Sequence, residues 1–520
     1  MTAIALFVVF ILIFLTTRLI RRRGIRLPPG PPGLPIVGNA LHFNPVKAWH
    51  LCDQYGKKYG PIVYLSLLGQ SVVIINSKRV ANDLLVRRAA NYSDRPRMIV
   101  GGEYLTGGMN MIVARYGGLW RKMRRSSQIA LSPKIISQYH PLQNDEMIMM
   151  TYGILHDSER WTGHILRATS SIVLSMVYDI PPLRSLNDSF VTQANDFVKR
   201  VSSASFPGAY LVDSFPVLDY APVWVAKWKR EALKDFKHFS ALFEEKFWAI
   251  KQRVTKGEEH RPSFCATVAE TQDKMAISDV ESAWLAGTLY QAGHDTTHST
   301  IAWFIFAAVH FPEIQVKAQQ ELDKVVGRSR LPSFADFKHL PYILAIVKET
   351  LRWRPVAPLG VVHSSIEDDV YEGYFIPRGT LCMPNIWSMN RDPEVYGLDA
   401  NTFRPERHLD PSTGDIKDPS DEGHVSYGFG YRDCVGRHLA NDSLFIAIAM
   451  IIWSMKIEPG RNENDDVVVP DINAEEMDGF IVRPPPFKVS LTPRFPEADA
   501  ILQQARDDVM NGEAYRRGSD

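Results

Sequence analysis

The chain predicts a mainly α-helical body with small β-sheets, a single large catalytic domain behind an N-terminal membrane anchor. Three observations carry that expectation. From about residue 77 to 355 the text is of helical pattern with short loops, and no repeat or low-complexity segment interrupts it. Strand-like text is confined to short stretches, at 61–76 and 360–384. Residues 3–15 form an uncharged apolar run, and Arg18, Arg21, Arg22, Arg23 and Arg26 follow it.

The apolar run reaches a spanning length only when Thr16, Thr17, Leu19 and Ile20 are counted. A cleaved signal peptide is the rival, since its apolar region is also short. No basic residue precedes the run and no small-x-small site follows it, which favours an uncleaved anchor. With the basic cluster on its C-terminal side, the positive-inside rule leaves the body cytoplasmic. Leu27-Pro28-Pro29-Gly30-Pro31-Pro32-Gly33-Leu34-Pro35 then reads as a stiff extended spacer. Ile62–Leu65 and Val72–Ile75, joined at Leu68-Gly69-Gln70, read as a hairpin. The last residues are polar and are expected to be loose. The expected division is a transmembrane signal-anchor over 1–20, a basic and proline-rich hinge over 21–37, a catalytic domain over 38–500 and a polar tail over 501–520.

Composition narrows the function. A formal net charge of +1 over 520 residues, with no long basic stripe, gives no sign of nucleic-acid binding. Cys52, Cys265, Cys382 and Cys434 lie far apart with no C-x-x-C pair, which argues against a disulfide framework or structural zinc and fits a reducing compartment.

The longest helix is expected from Ser278, which with Glu281 forms a capping-box pattern, to about His310. Inside it, Ala292-Gly293-His294-Asp295-Thr296-Thr297 groups poor helix formers, so a local bend or widening is expected. Gly293 would leave room for something small, and Asp295 with Thr296 can carry protons; a polar notch in a core helix is the plain alternative. His294 and His298 share one helix face, as in the zincin H-E-x-x-H motif, so a zinc hydrolase competes. Glu349 and Arg352, at i and i+3, can pair. Trp120-x-x-x-Arg124 is a one-turn pair on a basic helix, a solvated face unless something anionic meets it.

The stretch 426–440 holds the chemistry. Gly428 and Gly430 permit a turn, and Cys434 stands at the turn-to-helix junction before an apolar run. At a helix start the unpaired N–H groups and the macrodipole favour a thiolate, suited to a soft or redox metal. A buried structural cysteine is the plain alternative. The order Tyr427-x-x-Gly430-x-Arg432-x-Cys434-x-Gly436 resembles the haem-binding signature of the cytochrome P-450 family, with Tyr427 where that family usually has Phe. The resemblance extends in order over nearly the whole chain: anchor, hinge, Trp120-x-x-x-Arg124, Ala292-Gly293-x-Asp295-Thr296-Thr297, Glu349-x-x-Arg352, Pro405-Glu406-Arg407 and the cysteine stretch. His408 stands where Phe is usual.

This resemblance implies haem b held by Cys434 as axial thiolate, with Tyr427, Arg432 and Gly436 around it. Trp120, Arg124, Arg432 and His363 would meet the propionates. Thr296 would steady the activated oxygen and Asp295 would relay protons. Glu349, Arg352 and Arg407 would form a structural triad holding the cysteine loop. The implied enzyme is a microsomal monooxygenase similar to fungal secondary-metabolism members, single-pass in the endoplasmic reticulum membrane. Its partners would be an NADPH-cytochrome reductase, with cytochrome b5 as an optional second donor, and an apolar small molecule, terpenoid or aromatic. Met109, Phe206, Trp284, Leu289, Val356, Leu359, Phe480 and Ile481 are the expected pocket lining. Besides the zinc hydrolase, a haem-thiolate isomerase or dehydratase working without a reductase stays open.

Overall fold

The computed structural model describes residues 26–187 and 189–512. The long helices are α1 (Ala48–Tyr59), α2 (Gly118–Ala130), α3 (His140–His156), α4 (Trp161–Tyr178), α5 (Ser189–Ala204), α6 (Lys227–Lys256), α7 (Phe264–Met275), α8 (Asp279–His310), α9 (Glu313–Val325), α10 (Pro341–Trp353), α11 (Arg437–Ser454) and α12 (Ala498–Asn511). The strands are β1 (Ile62–Leu67), β2 (Gln70–Ile75), β3 (His363–Ser364), β4 (Asp369–Tyr371), β5 (Tyr374–Ile376), β6 (Leu381–Pro384), β7 (Met455–Arg461), β8 (Val467–Val468), β9 (Glu476–Asp478), β10 (Ile481–Arg483) and β11 (Val489–Pro493). The mainly helical class with small sheets is therefore observed.

Helix α8 is the axis of the body. Its capping box forms as expected: Glu281 N donates to Ser278 Oγ and Ser278 N to Glu281 Oε2, at 3.3 and 2.7 Å. Its second half, Ile301–Val309, is buried on every face, so it has no solvent side to pattern. It packs against α4, α6, α11 and β10. The expected widening at 292–297 does not interrupt it; the α-helix is continuous. Thr296 Oγ1 donates back to Ala292 O at 2.9 Å, which keeps that hydroxyl satisfied within the helix.

The larger sheet has the order β1-β2-β6-β3. β1 and β2 form the expected hairpin, and Leu68 and Gly69 both take positive φ in its two-residue turn. β6 joins β2 in parallel, bringing residues 381–384 beside 72–75, and β3 places His363 opposite Cys382. The smaller sheets are β4-β5, β9-β10 and β11-β7-β8.

Two expectations about the ends are corrected. From residue 26 onward, the proline-rich segment lies along the sheets. Phe375 N donates to Arg26 O and Tyr64 N to Pro29 O, at 2.7 and 2.8 Å. A Cβ on Gly30 would stand 2.1 Å from Tyr64 O, so only glycine permits that approach. The expected loose tail is helix α12 through Asn511. Its polar composition hides an apolar stripe, Ala498, Ile501, Leu502, Ala505 and Val509, that packs into the core beside α3. Residues 1–25, which contain the expected anchor, lie outside the described residues. Among the described residues no helix is long and apolar enough to cross a membrane.

Leu502 is fully buried, so Leu502→Ala is expected to cost about 2–5 kcal/mol in chemical denaturation; a loss under about 0.5 kcal/mol would show that α12 is not part of the cooperative core.

Candidate active site

The cysteine loop is built by close backbone approach. Gly428 and Gly430 take φ of 79° and 60°, and a Cβ on Gly430 would stand 2.0 Å from Leu85 O. Cys434 N donates to Tyr427 O at 2.8 Å, closing the loop. Helix α11 begins at Arg437 with Gly436 as its cap, so Cys434 precedes the helix rather than opening it. The four cysteines are all free thiols, and they differ in what surrounds them. Burial pushes Cys52 and Cys382 up to about 12. Burial also raises Cys434, but the Gly436 N–H, Arg124 and Arg437 pull the other way. Cys434 is thus the cysteine with donors and cations arrayed to favour a thiolate.

The middle of α8 lines the same cavity as this loop. Ala292, Gly293, Asp295, Thr296 and Thr297 all line the space. A Cβ on Gly293 would come 2.9 Å from Val173 Cγ2. The room that Gly293 leaves is therefore partly taken by α4. Asp295 Oδ1 meets His298 Nδ1 at 3.3 Å and Arg483 Nη1 at 3.4 Å. Burial alone would raise Asp295, but His298, Arg483 and His294 outweigh it, so its carboxyl sits below the usual range and is ionised at neutral pH.

The wall beside Cys434 is cationic. Arg95, Arg124 and Arg432 line it together with Trp120 and His363. Arg432 spends its donors on Ser93 O, Met111 O and Ala114 O at 2.8, 3.2 and 2.8 Å, and its guanidinium stands 4.2 Å over the Trp120 ring. Arg95 donates to Ile112 O, Val361 O and Val362 O at 3.0, 2.6 and 3.0 Å. Arg124 reaches the Asp433 carbonyl at 2.6 Å and its carboxylate, yet its Nε has no partner. Trp120 Nε1 donates to Met111 O at 3.2 Å. Burial pushes Arg95 down to about 9 against the pull of Asp94, and burial with repulsion from Arg95 and Arg124 pushes Arg432 down to about 8. His363 Nδ1 must donate to Tyr92 O, at 2.8 Å, because a carbonyl only accepts. Its Nε2 can then donate only as imidazolium. Burying these charges is costly, and an anion at this wall would offset that cost.

The cavity these groups enclose is about 1200 Å³. That exceeds the roughly 300–1,000 Å³ of a pocket for one small ligand, and leaves room for a prosthetic group as well as a substrate. A family profile described as Cytochrome P-450 matches residues 28–491. A cytochrome P-450 monooxygenase of Armillaria gallica is 48% identical, over 96% of this chain and 96% of the relative. One from Postia placenta, monooxygenase 58, is 41% identical over 94% of this chain and 93% of its own. One from Amanita muscaria, iboC, is 36% identical over 94% and 95%.

The chain belongs to the cytochrome P-450 family. Members are oxidoreductases that bind haem b through an axial cysteine thiolate. The cavity residues fit that group: a sulfur on one face, an apolar enclosure, and at the edge a cationic wall with an orphaned Arg124 Nε for carboxylates. The zinc-hydrolase alternative falls with the family. His294 Nδ1 meets its own helix at Tyr290 O, 3.1 Å away, and its ring stacks on Tyr290. His298 Nδ1 faces Asp295, so the two histidines do not converge.

The expected triad gains a fourth member. Glu349 receives Arg352 through two bonds of 2.7 Å, Arg407 at 3.0 Å, and also His408 Nε2 at 2.9 Å. The residue that departs from the family pattern therefore donates to the same carboxylate. Gly423 makes room for it, since a Cβ there would stand 2.6 Å from His408 Nδ1. Arg352 continues to Asn390 O and Ala400 O at 2.6 and 2.7 Å. The Asn390 side chain takes Val425 N at 2.9 Å and donates to Ser426 Oγ at 2.9 Å, and Ser426 Oγ donates to Leu351 O at 2.6 Å. An unbroken chain of bonds thus runs from the triad to the start of the cysteine loop.

Tyr427 is settled. Its hydroxyl donates to Asn441 Oδ1 at 2.6 Å, on the second turn of α11 and not to the sulfur. Of the expected lining, Phe206, Leu289, Val356, Phe480 and Ile481 are in place. Met109, Trp284 and Leu359 are not. Trp284 turns toward α6, stacks on Phe236 and donates to Ser240 Oγ at 3.0 Å. Arg95 escaped the sequence reading; the arginine stands before Pro96 in a loop, with no partner at helical spacing to mark it.

Arg352, Arg407 and His408 overcome the burial cost and hold Glu349 down at about 2, against an ordinary 4.5. A depressed carboxylate contributes stability above the unfolded value and loses it as pH falls through the folded one. Acid unfolding between about pH 4.5 and 2 should therefore flatten in Glu349→Gln, which should also be destabilised by about 3–5 kcal/mol at pH 7 because it strands two guanidinium groups. His408→Phe keeps both arginines paired and is expected to cost far less; an equal loss in both variants would contradict this division.

Proposed function

We propose that the chain is a membrane-anchored haem-thiolate monooxygenase. It inserts one atom of O2 into an apolar small molecule, a terpenoid or aromatic skeleton, and draws electrons from an NADPH-dependent reductase. The observation that carries the reading is that Cys434, Asp295, Thr296 and the cationic wall line one cavity. The bound haem supplies the oxygen-activating redox chemistry. Cys434 gives the axial thiolate, with the Gly436 N–H and the Arg124 and Arg437 charges favouring its deprotonated form. Arg95, Arg124, Arg432, Trp120 and His363 would hold the two carboxylates, which neutralise the wall and offset the burial and the Arg95 and Arg432 charges that push His363 well down. Glu349, Arg352, Arg407 and His408 keep the loop from shifting.

Asp295 and Thr296 handle protons. Asp295 is ionised and held by Arg483, and Arg483 also pairs with Asp478, whose side chain is 65% exposed. Arg483 thus ties the Asp295 carboxylate to an acid near the surface and holds it in place. The Thr296 hydroxyl, now bonded to Ala292 O, sits one residue further on and can turn toward the reacting oxygen. These two residues support oxygen use over a reductase-free isomerase or dehydratase, which needs no proton delivery of this kind.

Placement at the endoplasmic reticulum membrane rests on the apolar run 3–15 and its basic flank. An exposed apolar stretch supports a body resting on a bilayer: Leu211, Val217, Tyr220, Trp224 and Val225, followed by Lys227 and Arg230.

The reduced, carbon-monoxide-treated protein should show a strongly red-shifted Soret band, and Cys434→Ala should lose it; persistence of the band would overturn the ligand assignment. Asp295→Asn is expected to keep the band while product formation with reductase falls about 10²-fold. Product formed equally fast without reductase would instead favour the isomerase.

A further inference from the structure

Besides the cationic wall and the Asp295–Thr296 pair, the cavity lining carries an amide on α8. Gln291 stands one helical turn before Asp295 and lines the space. Its amide orientation is dictated from outside. Ile112 N donates to Asn110 Oδ1 at 3.1 Å; a backbone N–H only donates, so that atom is oxygen and its partner is the NH2. The Asn110 Nδ2 donates to Gln291 Oε1 at 2.6 Å. Asn110 is fully buried, so no water competes for this bond. The Gln291 oxygen is therefore spent on protein, and its NH2 has no protein partner among the described residues. Asn195, on α5 and lining the same cavity, accepts from Tyr290 OH through its Oδ1 at 2.7 Å, and its NH2 has no protein partner among the described residues.

An amide whose oxygen is engaged can only give hydrogen bonds. We propose that Gln291, set by Asn110 and assisted by Asn195, forms a donor subsite that selects apolar substrates already carrying a carbonyl-type oxygen, such as a ketone, aldehyde, ester or lactone. This rests on the monooxygenase reading and adds the substrate's polar requirement to it. Before binding, water satisfies the two NH2 groups. A substrate oxygen replaces that water bond for bond, whereas a hydrocarbon of the same shape displaces it and strands the donors. Sites built around a hydrogen bond reject the analogue that lacks it much more strongly than apolar pockets reject a missing methylene. With Gln291 one turn from Asp295, the oxygen is anchored near the reacting end of the cavity and so also fixes which part of the skeleton is presented.

The test uses the full-chain holoenzyme and two probes that differ by one carbonyl, the sesquiterpene ketone nootkatone and its parent hydrocarbon valencene. Dissociation constants are read from the Soret shift on titration. The wild type should bind the ketone about tenfold more tightly than the hydrocarbon. In Gln291→Leu that ratio should approach one through weaker ketone binding, with hydrocarbon binding unchanged or improved. Gln291→Glu, of similar size but acceptor-only when ionised, should weaken the ketone at least as much at pH 8. The proposal is overturned if the wild type shows no ketone preference, absence of binding by both probes included, or if the ratio in Gln291→Leu equals that of the wild type. The carbon-monoxide spectrum of each preparation keeps the two readings apart: a missing red-shifted band in the wild type refutes the haem-thiolate assignment, while a normal band with an unchanged ratio refutes the donor subsite alone.

Discussion

One fully buried carboxylate holds the architecture of the site together. Glu349 has no access to water, and its charge is matched by Arg352, Arg407 and the His408 N–H. Such a group is costly unless every partner is in place, so it behaves as an all-or-none clamp. It joins the end of α10 to the irregular segment 390–409 through the carbonyls that the two arginines also grip. That segment has little regular structure of its own to give it shape. Asn390 then passes the constraint to Val425 and Ser426, and the cysteine loop follows. The sulfur is thus positioned by a polar network that runs from the buried clamp to Ser426 on the cavity lining.

A second constraint is charge imbalance. The wall formed by Arg95, Arg124 and Arg432 satisfies most of its donors with backbone carbonyls, which balance hydrogen bonds but not charge. Of these three arginines Asp433 answers Arg124 alone, so the wall as a whole carries more positive than negative charge. The same cavity is lined by an ionised Asp295, kept in that state by His298 and Arg483. Gln291 adds a neutral donor between the apolar lining and Asp295.

Much of the site was legible in the text because its parts are local. Trp120 with Arg124, Glu349 with Arg352, and the turn before Cys434 are each one helical turn or one loop, so spacing alone marks them. The same holds for the α8 capping box and the β1–β2 turn. Residues whose partners are distant in sequence gave no such mark. Arg95 meets Val361 and Val362 across 266 and 267 residues. His408 looked like a departure from pattern, yet it joins a carboxylate 59 positions away. Trp284 is apolar and near the motif, but the side of α8 it occupies faces α6. Helix α12 was hidden because its few apolar residues matter only once α3 is beside them.

The sequence by itself determined the family, the helical class, the cysteine that faces the cavity and the acid–threonine pair that also lines it. These follow from short motifs whose geometry is set by the backbone alone. Only the tertiary structure decided where the Tyr427 hydroxyl points, that Gly293 accommodates α4, that His408 completes the buried clamp, and that Gln291 has only its donors left. Each of those depends on which group a side chain meets across the fold, and hydrogen-bonding partners and free volume are properties of packed surfaces, absent from any single stretch of chain.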